Sequence, residues 1–350
     1  KIAEATGLDA AAAAGAIGIV LDFLRKEAPA DKVAAMFSAM PGAEALAELA
    51  SRLQPNAKSL VVSIFGDAVL PHGGAIWLGS LIGLVEPFGA SERVVRTSVF
   101  RLSKEGWLSS QQIGRRSLYS LTDSARLRFE AAHRRIYAAA RPGWDGAWTL
   151  VFTGVVEGEA REALRRDLAW QGFGQLAPGV MAHPDPDPGV LRQALRDDGA
   201  EEGAVVMRGA SVEWMKPEAL RAIVARAWNI DQLAADYSGF LDNFRPLWAL
   251  LEQGEADPEA CFVLRALLIH EYRRAILRDP MLPEELLAAN WPGAAARRLC
   301  RNLYLRVQAS AERHLARAIQ TAEGPAPVAD EAYHERFGGL EPAGRALAEV

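Results

Sequence analysis

The spacing of apolar residues changes several times along the chain, and each change predicts a new element. Residues 1–57 are Ala-rich, with Met36, Met40, Leu46 and Leu49 at helical spacing, and Pro29 and Pro41 divide the run into short helices. "SLVVSIFGDAVL" then reads as a short buried helix, and "PHGGAIW" as a turn with a short extended piece. "LGSLIGLVEPF" reads as a second helix with Leu78, Leu81, Ile82 and Val85 on one face. The tight turn "GAS" leaves Ser91 at an N-cap position, where its hydroxyl is expected to accept an orphan N–H. A third helix is predicted over residues 92–105, with Val95, Val99 and Leu102 as one buried stripe, Glu92 in the first turn and Gly106 at its end. "WLSSQQI", "GRRS" and "LYSLT" read as a two-stranded hairpin with a basic tip.

"TDSARLRFEAAHRRIY" continues as a helix to about Tyr137, expected to be a solvated linker, and "ARPGWDG" marks a boundary. Beyond it, the strands "AWTLVFTG", "PGVMAHP" and "AVVMRG" are separated by the helices "EAREALRRDLAWQG" and "VLRQALRDDG" and followed by "PEALRAIVARAW". That alternation predicts a small α/β sandwich. From Ile230 onward the pattern is almost wholly helical, and the residues after "EGPAP" read as an extended tail.

Composition changes this picture little. The chain has 350 residues, 50% hydrophobic and 24% charged, which suits a soluble protein of two or three domains. Cys261 and Cys300 lie far apart without a CxxC spacing, which argues against a zinc site or a disulfide framework and suits a reducing cytoplasm. The longest apolar run, "AAAAAGAIGIVL", is too short to span a bilayer and follows the acidic Glu4 and Asp9, so neither a membrane anchor nor a secretory signal is expected.

Charge changes it more. The formal net charge is -5, yet residues 91–135 hold ten Arg or Lys against four acidic residues, so any nucleic-acid contact must be local. Helix, helix, tight turn, helix and hairpin is the order of a winged helix-turn-helix, whose last helix enters the major groove while the hairpin tip rests on the backbone. Ser91, Arg93, Arg96, Thr97, Phe100, Arg101 and Lys104 are the expected contacts on the helix, and Arg115 and Arg116 those on the tip. Arginine can bond bidentately to guanine O6 and N7, and the tip arginines would hold phosphate. Phe100 suits a thymine methyl or packing against the hairpin equally. The alternative is a solvated helix face with a charged hairpin. The coincidence of buried stripe, cap, turn glycine and basic tip favours DNA.

"IFGDAVLPHGGAIWLGSLIGLVEPFGASERVVRTSVFRLSKEGWL", "IGRRSLYSLT", "AWQGFGQLAPGVMAHP", "FRPL", "LLIHEYRRAILRDPMLPEELL", "NWPGAAARRLC" and "FGGL" follow one another along the chain. In these motifs it resembles the phenylacetic-acid degradation repressor family, the PaaX-type regulators, from about Ser59 to the C-terminus. The resemblance implies an α+β chain: a winged helix-turn-helix domain, a central ferredoxin-like domain related to Cas2 nucleases, and a C-terminal helical domain. We place these at residues 58–122, 144–229 and 230–350, with a linker helix at 123–143 and the Ala-rich helical segment, foreign to the family, at 1–57. It also implies a homodimer that represses aromatic-catabolism operons and leaves its operator DNA when an aryl-CoA thioester, such as phenylacetyl-CoA, binds.

A CoA thioester needs cations for its phosphates and an apolar slot for its acyl group. "HEYRR" offers His270, Tyr272, Arg273 and Arg274 within about one and a half helical turns, and Trp170 and Phe173 could add an aromatic wall. Equally, Arg273 and Arg274 could pair with carboxylates between domains. Neighbours such as His270 and Glu271 point about 100° apart on a helix and do not converge for acid–base work. No GxSxG elbow or HExxH pair appears, and "WTLVFTG" ends without the Asp that a Cas2-like nuclease would use for metal. No catalytic residue, metal or cofactor is therefore expected. An acyl-CoA-handling enzyme or a Cas2-like nucleic-acid-processing protein is the alternative, and turnover of an aryl-CoA by pure protein would distinguish the enzyme.

Overall fold

The computed structural model describes residues 43–138, 144–212, 214–251 and 257–340. Its contacts divide the chain into two units, the first formed by Lys1–Ala139, Asp242–Glu271 and Leu299–Val350, the second by Ala140–Leu241 and Tyr272–Arg298.

The first unit begins with α1 (Ala43–Leu53), on which Leu46 and Leu49 are buried; Met36 and Met40 lie outside the described residues. Helix α2 (Ala57–Ile64) is capped by the Asn56 side chain, which accepts from the Ser59 amide, and passes into a π-helical turn over Phe65–Val69. β1 (Ala75–Trp77) and α3 (Leu78–Val85) follow. On α3 the buried residues are Leu81, Leu84 and Val85, while Leu78 and Ile82 are only half-buried, so the apolar stripe is rotated from the one the spacing predicts. Helix α4 (Glu92–Lys104) buries Val95, Ser98, Val99 and Leu102, and Gly106 ends it at φ 74° in the left-handed region. β2 (Leu108–Ile113) and β3 (Arg116–Leu121) form the predicted hairpin, and β1 adds to its far side, giving a sheet in the order β1-β3-β2.

Helix α5 (Asp123–Ile136) starts at Thr122, whose hydroxyl accepts from the Ala125 amide. It is not the solvated linker its charge suggests. Phe129 is buried edge-on to Trp107 at 6.0 Å, and Ile136 and Tyr137 are buried as well. The arginines occupy the remaining faces.

The second unit carries an antiparallel sheet of β4 (Ala147–Phe152), β5 (Gly174–Ala177), β6 (Val180–His183) and β7 (Val205–Ala210) in the order β5-β6-β4-β7. With α6 (Gly158–Trp170) and α7 (Pro188–Asp197) interposed, the chain order is βαββαβ, the ferredoxin-like arrangement. The strand pattern misses β5, whose four residues hold two apolar side chains too few to show alternation. Val151, Leu164, Leu168, Phe173, Met181 and Leu191 fill one face of the sheet. Trp148 and Ala182 on the other face pack with Val224 of α8 (Pro217–Trp228). A Cβ on Gly174 would lie 2.4 Å from the Trp228 ring, so only glycine lets α8 settle against β5.

Three long helices follow: α9 (Ile230–Leu251), α10 (Pro258–Ile276) and α11 (Pro292–Ala318). Among the described residues no helix is long and apolar enough to cross a membrane. The segment beyond α11 is not an extended tail as far as residue 340. It forms a small ladder of β8 (Gln320–Thr321) and β9 (Gly324–Pro325) and the short helix α12 (Glu331–His334), and it buries Tyr333, Arg336 and Phe337. Its prolines and glycines hide any period, so the anchoring side chains do not announce themselves in the sequence.

Candidate nucleic-acid interface

The buried stripe of α4 turns its opposite face outward. Arg93, Arg96, Thr97, Phe100, Arg101 and Lys104 are all exposed on it, and Ser91 is exposed at its start. Ser91 occupies the N-cap position with extended backbone, and its carbonyl accepts from the amides of Val94 and Val95. Its hydroxyl makes no capping bond, contrary to expectation, and Glu92 supplies the negative charge at that helix end instead. Arg96 donates to Glu92 at 2.7 Å through Nε, one turn away. An exposed pair of this kind contributes under about 1 kcal/mol and exchanges readily for a base or phosphate. The Thr97 hydroxyl donates to the Arg93 carbonyl at 2.9 Å, which leaves its lone pairs and methyl outward. Phe100 is 59% exposed with the Lys104 ammonium 5.0 Å from its ring centre, so it does not pack on the hairpin.

The wing is tight because Ile113 faces Arg116, leaving Gly114 and Arg115 as the turn. Both tip arginines are exposed, but they are held differently. The Arg116 guanidinium lies 4.1 Å from the Trp77 ring centre, and the Trp77 indole N–H donates to the Thr321 carbonyl at 2.6 Å. Arg116 is therefore fixed over an anchored ring, whereas Arg115 projects from the turn.

The same unit contains a buried ionic network that the sequence reading missed. Asp67, in the π-helical turn, accepts from Arg265 Nε at 2.7 Å, Arg336 Nη1 at 2.9 Å, the Tyr137 hydroxyl at 2.6 Å and the Tyr304 hydroxyl at 3.1 Å. Its backbone carbonyl accepts from both arginines again. Arg265 also donates to Glu312 at 2.5 Å, and Glu312 lies 2.9 Å from His72 Nε2. Burial pushes the Asp67 carboxyl up, but the two guanidiniums outweigh it and hold the group below its ordinary value. Burial acts the same way on Glu312, where hydrogen bonds from His72 and Arg265 win and bring it to about 2. Single charges inside apolar runs, Asp67 in "SIFGDAVL" and Arg265 in "CFVLRALLI", are the signal that could have revealed the pair.

His133 accepts from Arg336 Nε at 3.2 Å and must be neutral to do so. Burial, reinforced by the Arg336 charge, lowers it to about 4. Between pH 6.5 and about 4 the unfolded chain binds a proton there that the folded chain refuses, so stability rises with pH across that window. The melting temperature is therefore expected to fall as pH drops from 6.5 to 4, and His133→Gln should flatten that part of the profile. A variant profile as steep as the wild type would refute the assignment.

The residues expected to hold an inducer are placed as follows. Trp170, at the end of α6, is 73% exposed, whereas Phe173 is buried in the core beside Leu164 and Leu168. On α10, His270 is buried with Nδ1 2.9 Å from the Ser63 hydroxyl. Tyr272 is buried against Tyr237 and Phe240, Arg273 is half-buried and Arg274 exposed. Among the described residues no group of three or more His, Cys, Asp or Glu could hold a metal ion, and β4 is followed by the buried Thr153.

Comparison with known proteins agrees with this architecture. Residues 56–125 match the family described as PaaX-like protein, residues 141–221 the PaaX protein central Cas2-like domain, and residues 228–317 the PaaX-like protein C-terminal domain. The transcriptional repressor PaaX of Escherichia coli (strain K12) is 41% identical over 293 residues, spanning 83% of this chain and 93% of that protein. Among solved structures, the uncharacterized protein Rv0674 from Mycobacterium tuberculosis is 23% identical, covering 73% of this chain and 98% of its own at a TM-score of 0.46. The chain, an α+β protein with an N-terminal PaaX-like domain, a central Cas2-like domain and a C-terminal helical domain, belongs to the PaaX-like family.

Proposed function

We propose that this homologue of a transcriptional repressor binds operator DNA as a homodimer, with α4 reading the major groove and the wing holding the backbone. The observation that carries this reading is the outward basic face of α4, set beside a wing tip with Arg115 projecting and Arg116 stacked in place. Residues 58–122 carry the DNA contacts, with α5 packed onto them through Phe129 and Trp107, and the residues beyond 144 receive the signal. The genes controlled are those of aromatic, phenylacetate-type catabolism, and an aryl-CoA thioester such as phenylacetyl-CoA releases the protein from its operator. The protein acts in the cytoplasm, with Trp170, Phe173, His270, Tyr272, Arg273 and Arg274 as the residues around the ligand.

Paired variants test the division of labour on the DNA. Arg115→Ala with Arg116→Ala is expected to weaken binding to operator and random DNA alike. The slope of log affinity against log salt should fall by about two, since two phosphate contacts go. Arg96→Ala is expected to lose more affinity for operator than for random DNA, by about 1–3 kcal/mol. Equal losses on both DNAs from both variants would contradict the assigned roles of helix and wing.

A further inference from the structure

The segment that follows α11 grips the region of β1 at successive points. The Thr321 carbonyl accepts from the Trp77 indole N–H at 2.6 Å. The Pro327 carbonyl accepts from His72 Nδ1 at 2.8 Å, and the Asp330 amide donates to the Pro71 carbonyl at 3.0 Å. Arg336 then enters the buried site of Asp67. The first grip is itself held. The Thr321 hydroxyl lies 3.1 Å from the Gly324 carbonyl and from Glu323 Oε2, and Gly324 closes that turn at φ 117°. Trp77 and Thr321 are both buried, so little water competes for the bond between them. Trp77 ends β1 opposite Leu118, and Arg116 is the next residue of β3 on the same face. Its guanidinium lies over the ring, 4.1 Å from the ring centre. Stacking uses the flat face of a guanidinium and leaves its in-plane N–H groups for a phosphate.

We infer that Trp77 is a positioning residue for DNA binding and that residues 319–337 are the brace that sets it. This rests on the reading of the wing tip as a phosphate contact, and it adds a C-terminal element to that contact. An arginine loose at a hairpin tip gives up rotamer freedom when it takes a phosphate, whereas one already stacked has given it up beforehand. The stack orients Arg116 only as far as the ring is fixed, and the indole N–H fixes the ring to Thr321. Arg115, of the same charge and on the same hairpin, projects from the turn and serves as the internal control.

Double-mutant cycles on operator and random DNA test this. Trp77→Phe keeps a ring beneath Arg116 and removes the N–H that Thr321 holds. Gly324→Pro touches neither ring nor arginine, but proline cannot reach φ 117°, so the turn that carries Thr321 must open. Each is expected to weaken binding to both DNAs by about two- to fivefold, the worth of an exposed arginine–indole stack. The same loss should appear in an Arg115→Ala background and vanish in an Arg116→Ala background. Arg116→Lys keeps the charge and leaves the core alone, and it should lose as much as Trp77→Phe. An undiminished loss in the Arg116→Ala background would make ring and brace merely structural. Wild-type binding by Trp77→Phe, Gly324→Pro or Arg116→Lys would show the bond, the brace or the stack to be idle. Each of these results overturns the positioning role. If Arg116→Ala itself binds DNA as the wild type does, the wing reading fails and the brace falls with it.

Discussion

Asp67→Asn is expected to destabilise the unit that carries α4 and the hairpin by about 3–5 kcal/mol, a large share of the stability of an ordinary domain. The geometry is the reason. Arg265 and Arg336 are both fully buried on one carboxylate. Removing the Asp67 charge leaves Arg265 with Glu312 and Arg336 with neutral tyrosine and histidine partners. Hydrogen bonds of the amide cannot replace the lost attraction. Two controls separate charge from shape. Arg336→Met should cost less than Asp67→Asn, because it leaves one arginine on one carboxylate. Asp67→Asn combined with Arg336→Met removes a matched pair and should recover part of the Asp67→Asn loss. Denaturant unfolding would measure all three. A loss below about 1 kcal/mol for Asp67→Asn would show the network to be dispensable.

Arg273→Ala with Arg274→Ala is expected to hold its operator as the wild type does and to stay bound when aryl-CoA is added. A ligand releases a repressor only if it binds more tightly to the form that binds DNA poorly, and DNA then weakens the ligand by the same factor. A coupling of about 2–3 kcal/mol, some 30- to 150-fold, would serve. The two arginines follow His270 and Tyr272 on α10, a helix that also carries Arg265 of the buried network. On the proposed reading, removing their charge would take cations from the ligand's phosphates while the exposed residues of α4 stay unchanged. Titration of operator complexes with phenylacetyl-CoA reads the result. Normal release would place the ligand elsewhere, and loss of operator binding together with release would make the pair structural.

The helix and hairpin that carry the candidate contacts were legible because their signals are local. Val95, Val99 and Leu102 repeat at helical spacing and Gly106 stops the helix; the hairpin was also legible, but the pattern places its tip at residues 114–117, whereas Arg116 already pairs with Ile113. The strands of the central sheet were legible where apolar residues run together between turn residues, as in β4, β6 and β7, and not in β5, which holds only Leu176 and Ala177. What stayed hidden depends on residues far apart in the chain. Asp67 meets Arg265 and Arg336 across separations of 198 and 269 residues, which no periodicity records. The last described segment looked like a tail for the same reason. Its Arg336 has meaning only beside Asp67 and the Tyr137 ring 4.1 Å away. Arg115 and Arg116 are identical in sequence terms, and only the approach of Trp77 separates them.

Footprinting on a site selected from random DNA tests most directly whether two copies of α4 read DNA in a sequence-specific way. The account predicts two protected half-sites centred about 10 base pairs apart or a multiple of that, related by two-fold symmetry. Affinity for that site should exceed affinity for random DNA of equal length by at least about a thousandfold. Uniform protection without a preferred site, at equal affinity for both DNAs, would contradict it.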